Sequence, residues 1–216
     1  VLLGGLHSFG AGGYGTTPLA EVLPIRIDRL ERQNFGEAVR RDLHWPGPVK
    51  MAPTQIGRRT PLMQLAAGDA ANDDAWRALP PMEGANRFAG VAEGATVLAT
   101  TDSPNDPKPL LVSRDFDRGR VTCLAVDSTW RWRMRGFDAA HKRFWRRLVL
   151  WSAHKEDQAG ENVWVRLPQR TFSPGAKVEF TLGAQTAEGT EIDDAVFTPT
   201  VTLPDGTKSR ASVRRR

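Results

Sequence analysis

The chain has 216 residues, of which 40% are hydrophobic and 25% are charged, and these ordinary globular proportions exclude extensive disorder. Its single cysteine, Cys123, excludes an internal disulfide and a zinc site built from cysteines. No run of about 18 apolar residues is present and no signal peptide opens the chain, so we predict no membrane-spanning helix. Because Val1 falls inside a predicted strand and the chain ends on Arg214 to Arg216, we expect a segment of a longer protein.

The net charge of +5 is concentrated in one stretch. Between Arg118 and Leu150, nine Lys or Arg residues stand against two Asp, which gives that stretch a local charge of +7. A basic face of this kind predicts an anionic partner such as nucleic acid, phosphate or anionic lipid. The alternative is a solvated helix face, which is the commoner origin of a charge run.

A short apolar strand, Val1 to Gly5, opens the chain and leads into a glycine-rich loop. Gly10, Gly12 and Gly15 match G-x-G-x-x-G, the spacing of the dinucleotide-binding fingerprint. The helix that follows, with Thr17 as N-cap, Pro18 as its first residue and Pro24 ending it, is too short for that fold, and no βαβ unit with a ribose-binding acid comes after it. We therefore favour a turn that uses glycine for positive φ, and we predict no cofactor.

The middle of the chain shows few regular patterns. Ile25 and Ile27 alternate with polar residues as in a short edge strand, and Pro46-Gly47-Pro48 predicts a turn or loop. Thr60-Pro61 begins a short helix, and a second helical piece ends at Leu79-Pro80-Pro81. Two buried strands follow, Ala95–Thr100 and Pro109–Ser113.

The apolar run Val121 to Val126 predicts a central strand that is covered on both faces. An antiparallel hairpin, turning at Asp117-Arg118-Gly119, joins it to the preceding strand. Asp127 to Arg135 then lie at its carboxyl end, where α/β folds place their ligand sites. The helix Phe137 to His154 follows, with Asp138 as its cap. Its predicted apolar face comprises His141, Phe144, Trp145, Leu148 and Trp151.

The composition changes at residues 156–162, which form a polar linker. Beyond it the hydrophobic period drops to two, and turns are predicted at Ser173-Pro174-Gly175 and Pro204-Asp205-Gly206. The sequence therefore predicts an α/β domain over residues 1–157 and a partial β-sandwich module over residues 162–216.

Residues 1–155 resemble the glutamine amidotransferase-like domain of large bacterial, planctomycete-type, membrane-anchored proteins that often carry von Willebrand A-type regions. The resemblance rests on LLGGLHSFGAGGYGTTPLAEVLPI, LPPMEGANRF, PLLVSRDFDRGRVTCLAVDSTWRWR and FDAAHKRFWRRLVLW, of which DSTWRWR with RFWRRLVLW is the most specific part. It implies a flavodoxin-like, class I glutamine amidotransferase-like α/β fold whose earlier strands precede Val1. It also implies an immunoglobulin- or macroglobulin-like module after residue 160.

The resemblance does not extend to the catalytic residues of the family. A working class I amidotransferase carries a cysteine in G-x-C-x-G and a downstream histidine in a His-Pro-Glu context. Here the strand end Gly4 to Gly10 has no cysteine, and the downstream strand end carries Asp127 to Trp130 instead. Cys123 lies inside an apolar strand, so we predict a buried, inert thiol. We therefore expect a degenerate domain without glutaminase activity.

A serine hydrolase or amidase is the alternative from another functional class. Ser8, His7 and Asp127 can be drawn as a Ser-His-Asp set, although side chains adjacent in sequence usually diverge. His141 could replace His7 as the base only if its helix packs over the strand ends. The simpler interpretation is that His7 and Ser8 satisfy backbone groups of a turn. No metal is predicted, because the four histidines lack ligand spacing.

We predict a ligand face at two strand ends of the domain. Asp127 to Thr129 could equally cap a turn. The predicted ligand-binding residues are Gly10, Gly12, Gly13, Asp127, Ser128, Thr129 and Arg131.

Trp130 and Trp132 alternate with arginines, as in proteins that stack nucleic-acid bases on indoles. Treated as an extended segment, residues 130–135 put both indoles on one face and three arginines on the other. We favour packing of both indoles on the core over nucleic-acid binding.

Taken together, these patterns predict a non-catalytic domain that binds a ligand or protein within a bacterial envelope protein. Its partners would be proteins or other domains of the same longer chain, with a small-molecule ligand as a further possibility. Membrane contact would be made only by segments outside this chain. Anion binding, to nucleic acid or lipid headgroups through the basic helix, is a further alternative to the hydrolase.

Overall fold

A five-stranded mixed sheet carries the architecture of the computed structural model. The structure describes residues 1–28, 32–155, 163–167, 173, 175–184, 192–203 and 206–214. They divide into two compact units, Val1–Ala159 and Gly160–Arg216. The first unit combines helices with this sheet and is of mixed α/β class.

The sheet of the first unit has one parallel and three antiparallel pairings. In spatial order its strands are β1 (Leu2–Leu3), β9 (Gly119–Leu124), β8 (Pro109–Phe116), β7 (Thr96–Thr101) and β4 (Met51–Pro53). The parallel pair is β1 with β9, where Leu2 lies opposite Cys123. The predicted hairpin is confirmed, because β8 and β9 pair antiparallel and Phe116 lies opposite Gly119.

Two further strand pairs flank this sheet. They are β2 (Ile25–Arg26) with β6 (Gly90–Val91), and β3 (His44–Val49) with β5 (Met82–Asn86), both antiparallel. The predicted loop at Pro46 to Pro48 is wrong, because these residues lie within β3. The strand tolerates its prolines because the pairing with β5 is irregular between Pro46 and Val49.

Five α-helices and two 3-10 helices accompany the strands in the described part of the first unit. The α-helices are α1 (Leu19–Val22), α2 (Gln55–Arg59), α3 (Asp69–Ala78), α4 (Trp130–Met134) and α5 (Asp138–Ser152), and the 3-10 helices are Tyr14–Thr16 and Pro61–Met63. The predicted helix 137–154 is thus α5. Asp138 does not cap it, because the N-cap position is Phe137 and Asp138 is the first helical residue.

Both faces of the sheet are covered, as the apolar run around Cys123 predicts. Leu111 and Leu124 lie opposite each other and join the larger core cluster, which includes Phe144 of α5. The neighbouring pair, Val112 and Cys123, belongs to a second cluster with Phe9, Leu23 and Ile25. Since successive side chains of a strand point to opposite faces, the two clusters lie on opposite sides of β8 and β9.

Within the larger core, an aromatic cluster joins α3, α4 and α5. The ring centroid of Trp132 lies 6.0 Å from that of Trp76 and 5.5 Å from that of Phe144, in both cases edge to face. Its indole N–H donates to the backbone carbonyl of Pro80 at 3.1 Å. Trp132 is only 1% exposed. The prediction of a buried tryptophan is therefore confirmed for this residue.

The predicted extended segment 130–135 is wrong, because Trp130–Met134 form helix α4. Residues i and i+2 of a helix point in different directions, so Trp130 does not share the orientation of Trp132. Trp130 is accordingly 51% exposed. Only one of the two indoles packs in the core.

The second unit contains two antiparallel strand pairs in its described residues. They are β10 (Val163–Arg166) with β11 (Thr181–Ala184), and β12 (Thr200–Thr202) with β13 (Lys208–Arg210). The predicted linker 156–162 lies outside the described residues, as do Pro174 and Pro204-Asp205 of the two predicted turns. The β-sandwich assignment of this unit stays a prediction.

Candidate ligand-binding site

The turn that follows β1 is held by a single buried side chain, that of Asn86. Its Oδ1 accepts a hydrogen bond from the Gly5 N–H at 2.8 Å, and its Nδ2 donates to the Gly5 carbonyl at 2.9 Å and to the Ser8 carbonyl at 3.3 Å. The Asn86 backbone N–H donates to the Ala125 carbonyl at 2.8 Å. Asn86, at the end of β5, therefore fixes the positions of two strand ends, those of β1 and β9.

Ser8 and Asp127 meet at this turn, as the parallel pairing of β1 with β9 requires. A Cβ placed on Gly5 would lie 3.4 Å from Ser8 Oγ and 3.5 Å from Asp127 Oδ2. Both polar groups therefore stand close to the Gly5 Cα. Gly5 has a φ of 141°, a backbone conformation that residues with a side chain rarely adopt, and this explains the glycine.

His7 faces away from the hydroxyl of Ser8. Its Nδ1 lies 3.0 Å from the backbone carbonyl oxygen of Gln33, and its ring stacks on Phe35 at 3.9 Å between centroids. Among the described residues, no hydrogen bond joins a histidine to the Ser8 hydroxyl. The predicted bonding of His7 to backbone groups of its own turn is therefore wrong, because His7 ties the turn to the segment at Gln33. Ser8 and Asp127 both lie near Gly5, without a histidine at hydrogen-bond distance from the Ser8 hydroxyl among the described residues.

His141 lies in a different environment, next to Arg133 and Asp138. Burial lowers its pKa, the positive charge of Arg133 lowers it further, and the carboxylate of Asp138 opposes both. These neighbours belong to α4 and α5, so nothing in its described surroundings links His141 to Ser8.

His44 is the polar residue of this region that the sequence pattern does not reveal. It begins β3 opposite Asn86 and is 6% exposed, and its buried Nε2 has no hydrogen-bond partner among the described residues. Burial lowers the pKa of His44, opposed by the Leu6 backbone carbonyl and the carboxylates of Asp42 and Asp127, while His7 adds to the lowering. His44 is therefore neutral near pH 7. Its sequence neighbours carry no periodic pattern, and only the β3–β5 pairing brings it to the site.

A cavity of about 260 Å³ opens beside the turn after β1. Its walls come from parts of the chain that are distant in sequence: the glycine loop, strand β2 with the two residues after it, the start of β3 with the two residues before it, and the end of β5 with the segment after it. The lining residues are Phe9, Gly10, Ala11, Ile25, Arg26, Ile27, Asp28, Asp42, Leu43, Trp45, Asn86, Arg87, Phe88 and Ala89. Of the predicted ligand-binding residues, Gly10 lines this cavity.

The remaining glycines of the loop have structural roles. The N–H groups of Gly12 and Gly13 donate to the carbonyls of Phe9 and Gly10 at 3.1 and 2.9 Å, and the N–H of Tyr14 donates to Phe9 at 3.0 Å. These amides are not free to cradle phosphates as a dinucleotide-binding loop does. Gly12 and Gly13 therefore serve the turn. The positive φ expected from the sequence occurs at Gly13, at 79°, but not at Gly10, Gly12 or Gly15.

Three of the predicted ligand residues after β9 are engaged inside the fold. The hydroxyl of Ser128 accepts a hydrogen bond from the Glu83 N–H at 3.1 Å, and that of Thr129 accepts one from the Trp145 indole N–H at 3.1 Å. Both residues are buried. Arg131 donates to the carboxylate of Glu83. Asp127 thus remains as the polar group that this segment offers at the strand end.

Most basic residues of the stretch 118–150 also have partners in the fold. Arg143 and Arg147 of α5 donate to the backbone carbonyls of Leu65 and Pro61, which attaches the helix to that segment. Burial lowers the pKa of Arg147, and the charges of Arg143 and Arg146 add to this effect. Ion pairs of this stretch with other described residues include Arg120–Asp115, Arg131–Glu83, Arg133–Asp138 and Lys142–Asp138. This basic stretch therefore presents less free positive charge than its composition suggests.

Cys123 is buried, and burial raises the pKa of its thiol to about 12. We expect negligible labelling of the native protein by iodoacetamide at pH 8 and full labelling in denaturant, because only the exposed thiolate reacts. Since the folded pKa exceeds the usual value of 9.0, folding favours the protonated thiol. This contribution to stability is complete below pH 9 and is lost as the pH rises toward 12. Rapid labelling of the native protein, absent in Cys123→Ala, would contradict the assignment.

The described residues contain no group of three or more His, Cys, Asp or Glu side chains that could hold a metal ion. A search of the same residues finds no helix with the length and apolar character needed to cross a membrane.

Comparison with known proteins gives only distant likenesses. No protein-family model and no curated protein matches the chain. Among solved structures, the cytoplasmic protein STM1381 of Salmonella typhimurium LT2 matches with a TM-score of 0.45 and 22% identity, over 69% of this chain and 53% of that one. The cytoplasmic protein STM3548 of Salmonella typhimurium matches with a TM-score of 0.37 and 22% identity, over 58% and 42%. The chain spans about half the length of these two structures, and likenesses at this level carry no argument about function.

Proposed function

We propose that the first unit is a flavodoxin-like, class I glutamine amidotransferase-like domain without catalytic activity, which binds a ligand at the carboxyl ends of β1 and β9. The second unit would be an immunoglobulin-like module, and the two would form part of a membrane-anchored bacterial envelope protein. Partners would be other domains of that longer protein or separate proteins.

The observation that carries the proposal is the cavity beside the turn after β1. It lies beside the Phe9–Ala11 part of that turn, and Asn86, whose hydrogen bonds hold the ends of β1 and β9, is one of its lining residues. Two observations on the described residues support a binding role. Cys123 is buried within β9, and His7, the neighbour of Ser8, makes its ring hydrogen bond with the Gln33 carbonyl rather than with the Ser8 hydroxyl.

The test combines activity and binding measurements on the same preparation. We expect no ammonia release from glutamine and no hydrolysis of p-nitrophenyl esters or anilides above a buffer blank. We also expect at least one compound of a metabolite mixture to shift the NMR cross-peaks of the Gly10 amide and the Trp45 indole. Hydrolysis that disappears in Ser8→Ala would overturn the proposal in favour of the hydrolase, for which the proximity of Ser8 and Asp127 is the supporting observation. Failure of every compound to shift these cross-peaks would overturn the binding role.

A further inference from the structure

We propose that His44 is a pH switch: proton uptake at its buried ring releases the turn after β1, residues 5–10, and so weakens ligand binding in the cavity beside that turn. This inference names a regulation of the proposed site, so its effect on ligands rests on the proposed function. The release of the turn is a property of the chain alone and is measured without a ligand.

The ring of His44 is buried and incompletely hydrogen-bonded. The residue is 6% exposed, and its Nε2 has no hydrogen-bond partner among the described residues. Protonation makes both ring nitrogens donors, so Nε2 then carries an N–H group without an acceptor. An unpaired buried charge costs much more free energy than an unpaired neutral group. Protonation therefore disfavours the structure that encloses this ring.

The titratable groups that face His44 come from three segments of the chain. His7 belongs to the turn after β1, Asp42 to the segment before β3, and Asp127 to the segment after β9. The residue opposite His44 on β5 is Asn86, which carries no charge. The surroundings of His44 thus offer two carboxylates and one second imidazole.

The two carboxylates do not offset the burial of the ring. Asp42 is engaged by Arg40, whose Nη2 lies 2.5 Å from Asp42 Oδ2. Asp127 is exposed, so solvent weakens the effect of its charge on His44. Burial is the main influence on the ring, and it lowers the pKa of His44 below the usual value of 6.5.

The direction of the pH effect follows from this lowered pKa. When the turn is open, the ring is solvated and its pKa returns toward 6.5. Between the two pKa values the open state binds more protons than the closed state. The closed turn therefore has its full stability above pH 6.5, and this stability is lost as the pH falls through the lower pKa of the buried ring.

His44 is connected to the turn in two ways. Its ring interacts with the Leu6 backbone carbonyl. Its strand partner Asn86 holds Gly5 with two hydrogen bonds and Ser8 with one. A displacement of the His44 ring therefore acts on the turn directly and through the residue that fixes it.

The turn is the neighbour of His44 that opens most easily. Strand β1, which leads into it, has two residues and lies at the edge of the sheet, where it pairs with β9 on one side. Leu6 in the turn is 47% exposed. By contrast, β3 and β5 are anchored by Val49 and Met82, which lie opposite each other in the larger core. Local opening occurs where few buried contacts are lost.

Amide hydrogen exchange at Gly5 tests the release on the 216-residue chain, because this N–H donates to Asn86 Oδ1. We expect its protection factor, which corrects for the intrinsic effect of pH on exchange, to be about tenfold lower at pH 5 than at pH 7. The amide of Val112, in the central strand β8, should change less than about twofold. A change below twofold at Gly5, or an equal loss at Val112, would overturn the switch.

Variants assign the effect to His44. His44→Phe keeps a ring and His44→Gln keeps a polar group, and neither titrates, so we expect Gly5 protection to change less than about twofold between pH 7 and pH 5 in both. The matched control is His154→Gln, at an exposed histidine after α5, which should behave as the parent does. Far-UV circular dichroism checks folding. A folded His44 variant that keeps the full pH-dependent loss would overturn the switch.

An NMR titration of the His44 ring in the parent protein needs no variant. We expect a pKa below 6.5. A pKa at or above this value would overturn the switch, because protonation would then favour the closed turn.

Ligand binding separates the switch from the proposed function. The turn supplies Phe9 and Gly10 to the cavity wall, and Asn86 lines the same cavity. A compound that shifts the Gly10 and Trp45 cross-peaks at pH 7 should bind about tenfold more weakly at pH 5, and His44→Phe should abolish this difference. Equal affinity at both pH values in the parent would overturn the regulation of the site. If no compound shifts the cross-peaks, the proposed function is wrong, and exchange at Gly5 still decides the switch.

Discussion

Replacing Trp132 with alanine is expected to lower the free energy of unfolding by about 3–5 kcal/mol. The side chain is buried where α3, α4 and α5 meet, and it contacts Trp76 and Phe144 edge to face. Its removal leaves a cavity that rigid helices cannot close, and it leaves the Pro80 carbonyl without its donor. Urea unfolding followed by far-UV circular dichroism measures the effect, which is a large part of the roughly 5–15 kcal/mol that a typical domain has.

Trp130→Ala is the matched control for this prediction. The two tryptophans lie on the same short helix and differ mainly in burial, so we expect a loss below about 0.5 kcal/mol at the exposed position. Trp132→Phe separates packing from hydrogen bonding, because it keeps an aromatic ring but removes the N–H donor to Pro80. Equal losses in Trp130→Ala and Trp132→Ala would contradict the aromatic cluster as the anchor of these helices.

Asn86→Ala is expected to lower the free energy of unfolding by about 2–4 kcal/mol and to weaken ligand binding in the cavity. The change removes three hydrogen bonds to the turn after β1, and Asn86 is only 3% exposed, so water cannot easily replace them. The turn carries Phe9 and Gly10 into the cavity wall. Denaturant unfolding measures the stability loss, and an NMR titration with a compound that shifts the Gly10 and Trp45 cross-peaks of the parent protein measures the affinity loss.

Asn105→Ala and Asn86→Asp complete this experiment. Asn105 is exposed in the loop before β8, so its replacement should change stability by less than about 0.5 kcal/mol. Asn86→Asp keeps the acceptor for the Gly5 N–H and loses both donors, so we expect destabilisation here too. A folded Asn86→Ala with unchanged stability and affinity would show that the turn is held by its other contacts.

The regular elements with strong local patterns could be predicted from the sequence. The apolar run around Cys123 gave β9, and three- and four-residue spacing of aromatic and aliphatic residues gave α5. Such patterns predict an element directly, because the buried side chains of a helix recur every three or four residues and an unbroken apolar run is typical of a strand covered on both faces. The burial of the Cys123 thiol could be predicted from the same apolar run.

Elements that depend on distant partners could not be predicted in this way. Pro46 to Pro48 have the composition of a loop, yet they lie in β3 because β5 supplies the backbone partners. The alternation of Trp and Arg after Thr129 has the period of a strand, but the chain forms α4, since packing of Trp132 against α3 and α5 outweighs the local pattern.

By itself, the sequence determined the main strands, the long helix and the absence of an amidotransferase cysteine at the strand end, because these depend on residue type and local period. Only the tertiary structure decided the site. Arg26, Trp45 and Arg87 lie on separate segments, and strand pairing alone brings them to one cavity. The same pairing places His44, whose buried Nε2 has no hydrogen-bond partner among the described residues, opposite Asn86. Contacts between residues that are far apart in sequence produce no periodic pattern in the sequence, so they could not be predicted from it.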